Sequence, residues 1–368
     1  MIYRPFGQTG TNLSIVSFGG MRFPDPGNID AGAELVRYAW DKGINYFDTA
    51  PLYCDKHSEN IFGHALKDLP RAGFHVGTKC SSPCGSELRR SLEQSLELLQ
   101  LDTIDFFYIW YLLDRDDWHR RLDQGAVAAA LRAKEEGLIK NLVCSSHMNG
   151  DDLAEVLTSG YFSGVLLGYN AINFPYRQAA VEHAGNQGLG VITMNPLGGG
   201  LIPRNPQRFS FLRERQDQSV VSAALRFNLS HPSITSALVG FTSTTEIDEA
   251  VAAVDKFCPY TTTERLRIET HINESFNDLC TGCGYCLPCP VDIPIPKFLD
   301  AYNQLILSKG DGKTVNDRFR LHWNIDRRLA ANCTRCGACE ERCTQHLPII
   351  QRLNELAGDS PQVTDQKK

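Results

Sequence analysis

The chain has 368 residues, 42% of them hydrophobic and 22% charged, with a formal net charge of -6. That is enough apolar material for a sizeable core and enough length for one large domain plus a small one, and it carries no basic excess of the kind nucleic acid demands. Met1–Gly7 lacks a basic-then-apolar leader pattern and no apolar run reaches the ~18 residues of a membrane span, so the expected address is the cytoplasm, with neither nucleic acid nor membrane as partner.

Through residue 255, short β-branched or aromatic runs alternate with amphipathic stretches. The pattern predicts strands at Ile15–Gly19, Asn45–Thr49, His75–Lys79, Ile104–Trp110, Asn141–Ser146, Gly164–Asn170, Gly190–Asn195 and Ser236–Gly240. It predicts helices after them at Ala31–Lys42, Glu59–Leu66, Glu87–Leu99, Gln124–Glu136, Asp151–Ser159, Tyr176–Gln187, Val220–Ser230 and Thr245–Val254. Eight βα units in roughly 250 residues are the signature of an α/β chain folded as a (β/α)8 TIM barrel. The rival, an open doubly wound sheet, normally shows a glycine-rich G-x-G-x-x-G turn after its first strand, where this chain has Phe18-Gly19-Gly20-Met21. A connecting helix is expected at Thr263–Phe276, and helical periodicity returns at Ile295–Ser308 and Asn316–Ala331.

Eight of the thirteen cysteines fall in two runs. The first is Cys280-Thr-Gly-Cys283-Gly-Tyr-Cys286-Leu-Pro-Cys289-Pro290, and the second is Cys333-Thr-Arg-Cys336-Gly-Ala-Cys339-Glu-Glu-Arg-Cys343. Three thiolates at two-residue gaps can wrap a cubane, each meeting a different iron, and in two-cluster ferredoxins the fourth cysteine of each run ligates the other cluster. On that rule Cys280, Cys283, Cys286 and Cys343 hold one [4Fe–4S] cluster, and Cys333, Cys336, Cys339 and Cys289 the second. The final gap of the first run is two residues rather than three, and Thr344 stands where proline usually follows, but neither departure removes a ligand. Structural zinc, which takes four ligands as two separated pairs, and disulfides are the alternatives. The domain reading is a barrel over 1–262, a small and mostly helical ferredoxin-like iron–sulfur domain over 263–357, and a disordered polar tail over 358–368.

Active sites of such barrels gather at the C-terminal ends of the strands. Those ends carry Asp48-Thr49-Ala50 and Tyr53, Lys79, Ser145, Tyr169-Asn170, Asn195-Pro196-Leu197-Gly198, and Gly240-Phe241-Thr242-Ser243. His147 reads as part of the pocket, and His57 and His119 as solvated loop residues. Cys54, Cys80, Cys84 and Cys144 also fall near this rim, as buried apolar thiols or, in a sharper reading, as redox-active or metal-binding ones.

The run Gly43-Ile44-Asn45-Tyr46-Phe47-Asp48-Thr49-Ala50, with Tyr53, Ser58-Glu59, Gly63, Lys79 and Val239-Gly240, resembles the aldo-keto reductases, and Gly7-Gln8-Thr9-Gly10 and Gly19-Gly20-Met21 fit as well. With its cysteine runs the chain resembles the subgroup of that family that carries a C-terminal ferredoxin-like domain. The resemblance implies a catalytic tetrad of Asp, Tyr, Lys and His, of which Asp48, Tyr53 and Lys79 are present, while Trp110 aligns with the His. Lys79, kept charged by Asp48, is then expected to lower the Tyr53 phenol so that it can protonate an alkoxide. An indole has one N–H and does not titrate, so Trp110 would orient a carbonyl, stack on a ring or fill the pocket. The resemblance also implies nucleotide-binding positions at Gly20, Met21, Ser145, Asn170, Pro196, Leu197, Gly198, Gly240, Thr242, Ser243 and Glu246. Leu166 replaces the family's nicotinamide-holding Gln, and no Arg or Lys lies in Gly240–Ala250 to clamp a 2′-phosphate, so NADPH, NADH, a flavin nucleotide or no nucleotide all stay open, as does an ordinary capped turn at that loop.

Three functions follow. The first is an NAD(P)H-dependent reductase or dehydrogenase of a small carbonyl or alcohol, with clusters relaying electrons to or from a ferredoxin or other carrier. The second is a cluster-fed reductase of an unsaturated or aromatic substrate, with a flavin or no nicotinamide. The third is a non-catalytic electron-transfer or regulatory subunit, against which the retained Asp48, Tyr53 and Lys79 argue.

Overall fold

In the computed structural model the eight predicted strands close on themselves. The structure describes residues 1–368 apart from 215–218, 256, 276, 277, 281, 283, 344 and 359–368, and only the backbone of 273–275. Two short strands, β1 (Tyr3–Pro5) and β2 (Asn12–Ser14), form an antiparallel hairpin. The barrel follows as β3 (Val16–Gly19), β4 (Tyr46–Asp48), β5 (His75–Cys80), β6 (Ile104–Leu112), β7 (Ile139–Ser146), β8 (Gly164–Gly168), β9 (Gly190–Met194) and β10 (Ser236–Val239). Each strand is parallel to its neighbours, and β10 pairs with β3 to close the ring.

The interior is filled by side chains from successive strands: Tyr46, Phe106, Tyr108, Val143, Leu166 and Ile192. This is a packed core rather than a pore. The hairpin seals the floor with Phe6, which is fully buried and meets Phe106 edge-on at 4.8 Å. Gly164 and Gly190, the first residues of β8 and β9, are glycines for a steric reason, because a Cβ on either would come within 2.2–2.3 Å of the Phe6 ring. The hairpin escapes detection in the sequence because each strand is three residues long and shows too little alternation to register.

All eight predicted helices are present, at Ile29–Asp41, Ser58–Leu66, Gly85–Leu99, Ala126–Glu135, Gly150–Leu157, Phe174–Asn186, Val220–Leu229 and Thr244–Asp255. Several start on side-chain caps that satisfy orphan N–H groups: Asn28 accepts from Ala31 N at 3.1 Å, Asn149 from Asp152 N at 2.8 Å, and Ser219 from Ser222 N at 3.0 Å. One prediction needs correcting. The helix expected from Gln124 starts at Ala126, because Gly125 sits at φ 85°, and a separate helix, Arg115–Asp123, precedes it. His119 lies on that extra helix rather than in a loop.

The C-terminal region has its own core of Ile295, Phe298, Leu299, Leu305, Phe319, Ile349, Leu353 and Leu356, to which Cys286 and Cys339 belong. The helix Thr262–Ser275, assigned from the sequence to this region, instead buries Ile268 and Ile272 in the barrel's core. The stretch expected as one helix over 316–331 is broken into Gly312–Asp317, a wide turn at Arg318–Trp323 and a 3-10 segment at Arg327–Asn332. Asn324, at φ 50°, ends the middle piece. The tail expected to be disordered lies, beyond Gly358, outside the described residues. No helix among the described residues is long and apolar enough to cross a membrane.

Candidate active site and cluster module

Asp48 ends β4, Lys79 lies near the end of β5, and both side chains are 1% exposed. Their ends form an ion pair, and Lys79 Nζ also donates to the Thr49 carbonyl at 2.6 Å. The other Asp48 oxygen accepts from Tyr46 Oη at 3.0 Å, and Tyr46 Oη lies 2.5 Å from Tyr108 Oη. Burial pushes the Asp48 carboxyl up and the Lys79 ammonium down, each opposed by the charge of the other. Tyr46 and Tyr108 complete this network and were not singled out in the sequence; their strand positions read only as core.

Tyr53 starts a tight turn in which Cys54, Asp55 and Lys56 all have positive φ, at 51°, 53° and 72°. Three successive residues with side chains in that region mark a strained segment held by its surroundings. The turn sets the Tyr53 ring under Lys79 Nζ, 5.2 Å from the centroid. Behind it, Ser58 and Glu59 anchor the next helix: Ser58 Oγ lies 2.7 Å from Thr49 Oγ1, and Glu59 accepts from Thr78 Oγ1 at 2.6 Å. The expectation that Lys79 lowers the Tyr53 phenol is reversed. Burial, and then the Asp48 charge, push that phenol up.

Trp110 stands beside Tyr53, half-buried, with ring centroids 5.7 Å apart and planes at 87°. It sits on a bulge: the β6–β7 register shifts between Ile109 and Leu112, and Tyr111 has φ 68°. Bulges re-aim side chains at barrel rims, and this one turns Trp110 toward Tyr53 while Tyr111 Oη donates to the Leu321 carbonyl at 2.8 Å.

The expected nucleotide positions are largely self-satisfied. Asn170 donates to the Asn195 carbonyl at 2.8 Å and accepts from Ile172 N at 2.8 Å, so its amide ties two loops together. Pro196, Leu197 and Gly198 follow Asn195, and Gly198 N donates back to the Asn195 carbonyl at 2.9 Å. Gly240 lies against Arg22, whose Cγ would be 2.6 Å from an added Cβ. Thr242 donates to Glu246 Oε2 from its N–H at 2.7 Å and its hydroxyl at 3.0 Å, and Ser243 Oγ accepts from Glu246 N at 3.3 Å. The loop is thus a capped turn with a carboxylate already on the donor a phosphate would use. Gly20 is packed so tightly that a Cβ would come 2.4 Å from Phe62 and Ser58, Met21 is 55% exposed at the mouth, and Ser145 is buried beside Leu166.

Of the four rim thiols, Cys80 and Cys144 are buried and burial pushes both up, while Cys54 and Cys84 are half-buried. Among the described residues no group of three His, Cys, Asp or Glu side chains, at the rim or elsewhere, is already gathered around a metal position.

The cysteine runs line two separate hollows. Cys280, Cys286 and Cys343 face the first with Pro296, Leu299 and Leu347; Cys283 lies outside the described residues. Cys286, which also lines the first, and Cys289, Cys333, Cys336 and Cys339 face the second. Backbone N–H groups already point at sulfur, from Gly282 to Cys280 at 3.3 Å and from Leu347 to Cys343 at 3.5 Å, as donors around iron–sulfur thiolates do. The donor set and the hollows fit clusters.

The segment between the runs packs on the barrel mouth. His322 Nε2 lies 3.0 Å from His147 Nδ1, and Trp323 meets both His147 (6.1 Å) and Tyr176 (6.2 Å). His147, expected at the pocket, is therefore covered by the module. Burial and the nearby arginines hold both imidazoles well below their ordinary value, and so neutral.

Comparison with known proteins agrees with this geometry. The model of the aldo/keto reductase family matches residues 16–273, and that of a 4Fe-4S dicluster domain matches residues 272–344. L-Galactose dehydrogenase of Arabidopsis thaliana is 30% identical over 285 residues, covering 68% of this chain and 87% of that protein. L-Glyceraldehyde 3-phosphate reductase of Escherichia coli is 25% identical over 326 residues, covering 74% and 92%. The holo form of an aldo-keto reductase from Bacillus halodurans superposes with a TM-score of 0.66 at 24% identity, over 73% of this chain and 96% of that one. The chain is an oxidoreductase that belongs to the aldo-keto reductase family and carries a 4Fe-4S dicluster domain at its C-terminal end.

Proposed function

We propose that the barrel mouth reduces a small carbonyl compound to the alcohol, with Tyr53 as the proton donor, and that the C-terminal domain holds two [4Fe–4S] clusters that exchange electrons with a ferredoxin-like carrier. The observation that carries the reading is the meeting of Asp48, Lys79 and Tyr53 in one buried corner of the rim. Reduction of a carbonyl needs a hydride at carbon and a proton at oxygen. Tyr53, its phenol pushed up by burial, keeps its proton until an alkoxide forms beside it, so the site favours reduction over oxidation. Lys79 supplies positive charge where the oxygen turns negative, and Asp48 fixes its position. Trp110 bounds the pocket with an aromatic face. The nicotinamide nucleotide used across the family supplies a hydride when bound; here Glu246 must first turn away from Thr242. The clusters supply one-electron transfer, with Cys280, Cys283, Cys286 and Cys343 holding one and Cys289, Cys333, Cys336 and Cys339 the other.

The occupied Thr242–Glu246 loop favours a second reading, in which the clusters feed an unsaturated or aromatic substrate that stacks on Trp110, with a flavin or no nicotinamide. One experiment separates the two. Protein purified without oxygen is assayed for iron, mixed with NADH or NADPH, and followed by the visible absorbance of the clusters. The first reading expects about eight irons per chain, nucleotide binding, and carbonyl turnover that falls in Tyr53→Phe. Absence of nicotinamide binding overturns it in favour of the second.

A further inference from the structure

Arg177, which comes from the barrel, is the largest fully buried side chain among the described residues, at 1% exposure. Its Nε and Nη1 have no acceptor among the described residues. Burial pulls its guanidinium down to about 10, so it remains charged near neutral pH. The group lies over the rings of Tyr176, at 4.4 Å, and Trp323, at 5.9 Å. Two more cations face the same indole: Lys297 Nζ at 5.4 Å and Arg318 at 5.9 Å. Asp300 is taken by Arg318, at 2.6 and 3.1 Å, and by Trp323 Nε1, at 2.7 Å, while Lys297 is faced by the charges of Asp114 and Asp152. His147 and His322 beside them are neutral. Arg177, with Nε and Nη1 lacking an acceptor among the described residues, is left as a buried positive charge, the kind of group that a neighbouring anion stabilises.

The first cysteine run packs against the barrel at Tyr176, the neighbour of Arg177. Gly282, between Cys280 and Cys283, is pressed against the barrel so closely that an added Cβ would come 2.7 Å from Tyr176 Cβ. Pro296, the neighbour of Lys297, lines the hollow of Cys280, Cys286 and Cys343. A [4Fe–4S] core with four thiolates is net negative and becomes more so on reduction. The second hollow faces away: Cys336 is exposed, as are Thr334 and Arg335 on the same loop.

We propose that the cluster held by Cys280, Cys283, Cys286 and Cys343 is the barrel-facing one of the pair and that Arg177, a barrel residue, raises its reduction potential. The inference rests on the two-cluster reading above. A nearby positive charge stabilises the reduced, more negative form, so it draws electrons toward this cluster and leaves the outer one to meet a carrier. Arg177 is a tuning residue, since it acts on the cluster's potential rather than on reacting atoms.

The test is a redox titration of the anaerobic, full-length holoprotein, followed by the electron spin resonance of the reduced clusters, for the wild type, Arg177→Met, Arg177→Lys, Lys297→Met and Arg335→Met. Arg177→Met is expected to make one cluster harder to reduce, Lys297→Met to move the same cluster in the same direction by less, and Arg177→Lys to leave both midpoints in place. Arg335→Met is expected to move the other cluster. Should Arg177→Met fail to fold, Lys297→Met carries the comparison. The proposal is overturned if the Arg177 and Lys297 variants move neither midpoint, if they move the cluster that Arg335→Met moves, or if Arg177→Lys shifts as far as Arg177→Met. An iron content well below eight per chain in the wild type sinks the two-cluster reading itself, which is a different result.

Discussion

Substitution of Tyr53 by Phe separates catalysis from folding at this site. No hydrogen bond to the Tyr53 hydroxyl is made among the described residues, and the ring's contacts with Trp110, at 5.7 Å, and Lys79, at 5.2 Å, survive in Phe. The variant should therefore unfold within about 0.5 kcal/mol of the wild type, as substitutions that remove no buried partner do. Turnover should respond very differently. A positioned general acid is worth ~10²–10⁴ in rate, or about 3–5 kcal/mol of barrier. Lys79→Met has the opposite signature. It strands the 1% exposed Asp48 carboxylate in a dry site, at a cost of ~3–5 kcal/mol. Asp48 then takes up a proton, its folded pKa lying above the unfolded one. The variant's stability consequently falls as the pH rises above the unfolded value of ~3.9, and levels off above the folded one. The assay is initial rate over a panel of aldehydes and ketones, beside urea unfolding of each variant. If Tyr53→Phe keeps more than about a tenth of the wild-type rate, Tyr53 is not the acid. If Lys79→Met unfolds like the wild type, the buried pair is not the frame of the site.

Three further outcomes follow from the same coordinates. Asp105, at the start of β6, is pushed up by burial but held at about 2 by hydrogen bonds from His75 and Lys140, the charge of Arg71 and the N–H of Val76. Its folded pKa is depressed, so its contribution of about 2 kcal/mol is present above the unfolded value of ~3.9 and lost as the pH falls toward the folded one; Asp105→Asn should lose that much in urea unfolding at neutral pH, with the gap closing in acid. Glu246→Gln removes the carboxylate from the Thr242 donors and should tighten NAD(P)H binding by several-fold, the size expected for about 1 kcal/mol of exposed like-charge repulsion; unchanged affinity in a fluorescence titration would place the nucleotide elsewhere. The Cys84 thiol is lowered by hydrogen bonds from the Ser86 hydroxyl and the N–H groups of Glu87 and Ser86, whereas burial raises Cys80 and Cys144. Mass spectrometry after brief alkylation of the native protein should find Cys84 modified ahead of both, and equal labelling would refute the shifts.

What was legible in the sequence follows a physical division. The barrel could be read because each βα unit carries its own periodicity, and Asp48, Tyr53 and Lys79 because they sit at strand ends within one stretch of chain. The iron–sulfur character of the cysteine runs could be read because iron geometry dictates the spacing within a run. The features that escaped depend on contacts between distant segments. Phe6 plugs the floor only because Gly164 and Gly190 leave it room. Arg177 lies within the helix predicted at Tyr176–Gln187, and its burial under Trp323 comes from a segment far along the chain. Nothing in the local pattern around Leu321-His322-Trp323 announced that it would cover His147, since its apolar periodicity is that of an ordinary helix.

The absent histidine gains a context from the bulge in β6. A regular strand would put Trp110 and Tyr111 on opposite faces, one toward the interior and one toward the helices. The register shift between Ile109 and Leu112, with Tyr111 at φ 68°, brings both to the rim. Trp110 then closes on Tyr53, and Tyr111 reaches the Leu321 carbonyl of the cluster module at 2.8 Å. Trp110, expected at the fourth catalytic position, and Tyr111, which reaches the module, are thus neighbours on a single irregularity. A histidine at 110 would be smaller and would bring a titrating ring to Tyr53, whereas an indole keeps one N–H donor and does not titrate. In this barrel the change at position 110 is best understood with the module that leans on the adjoining residue, because the same backbone distortion serves both.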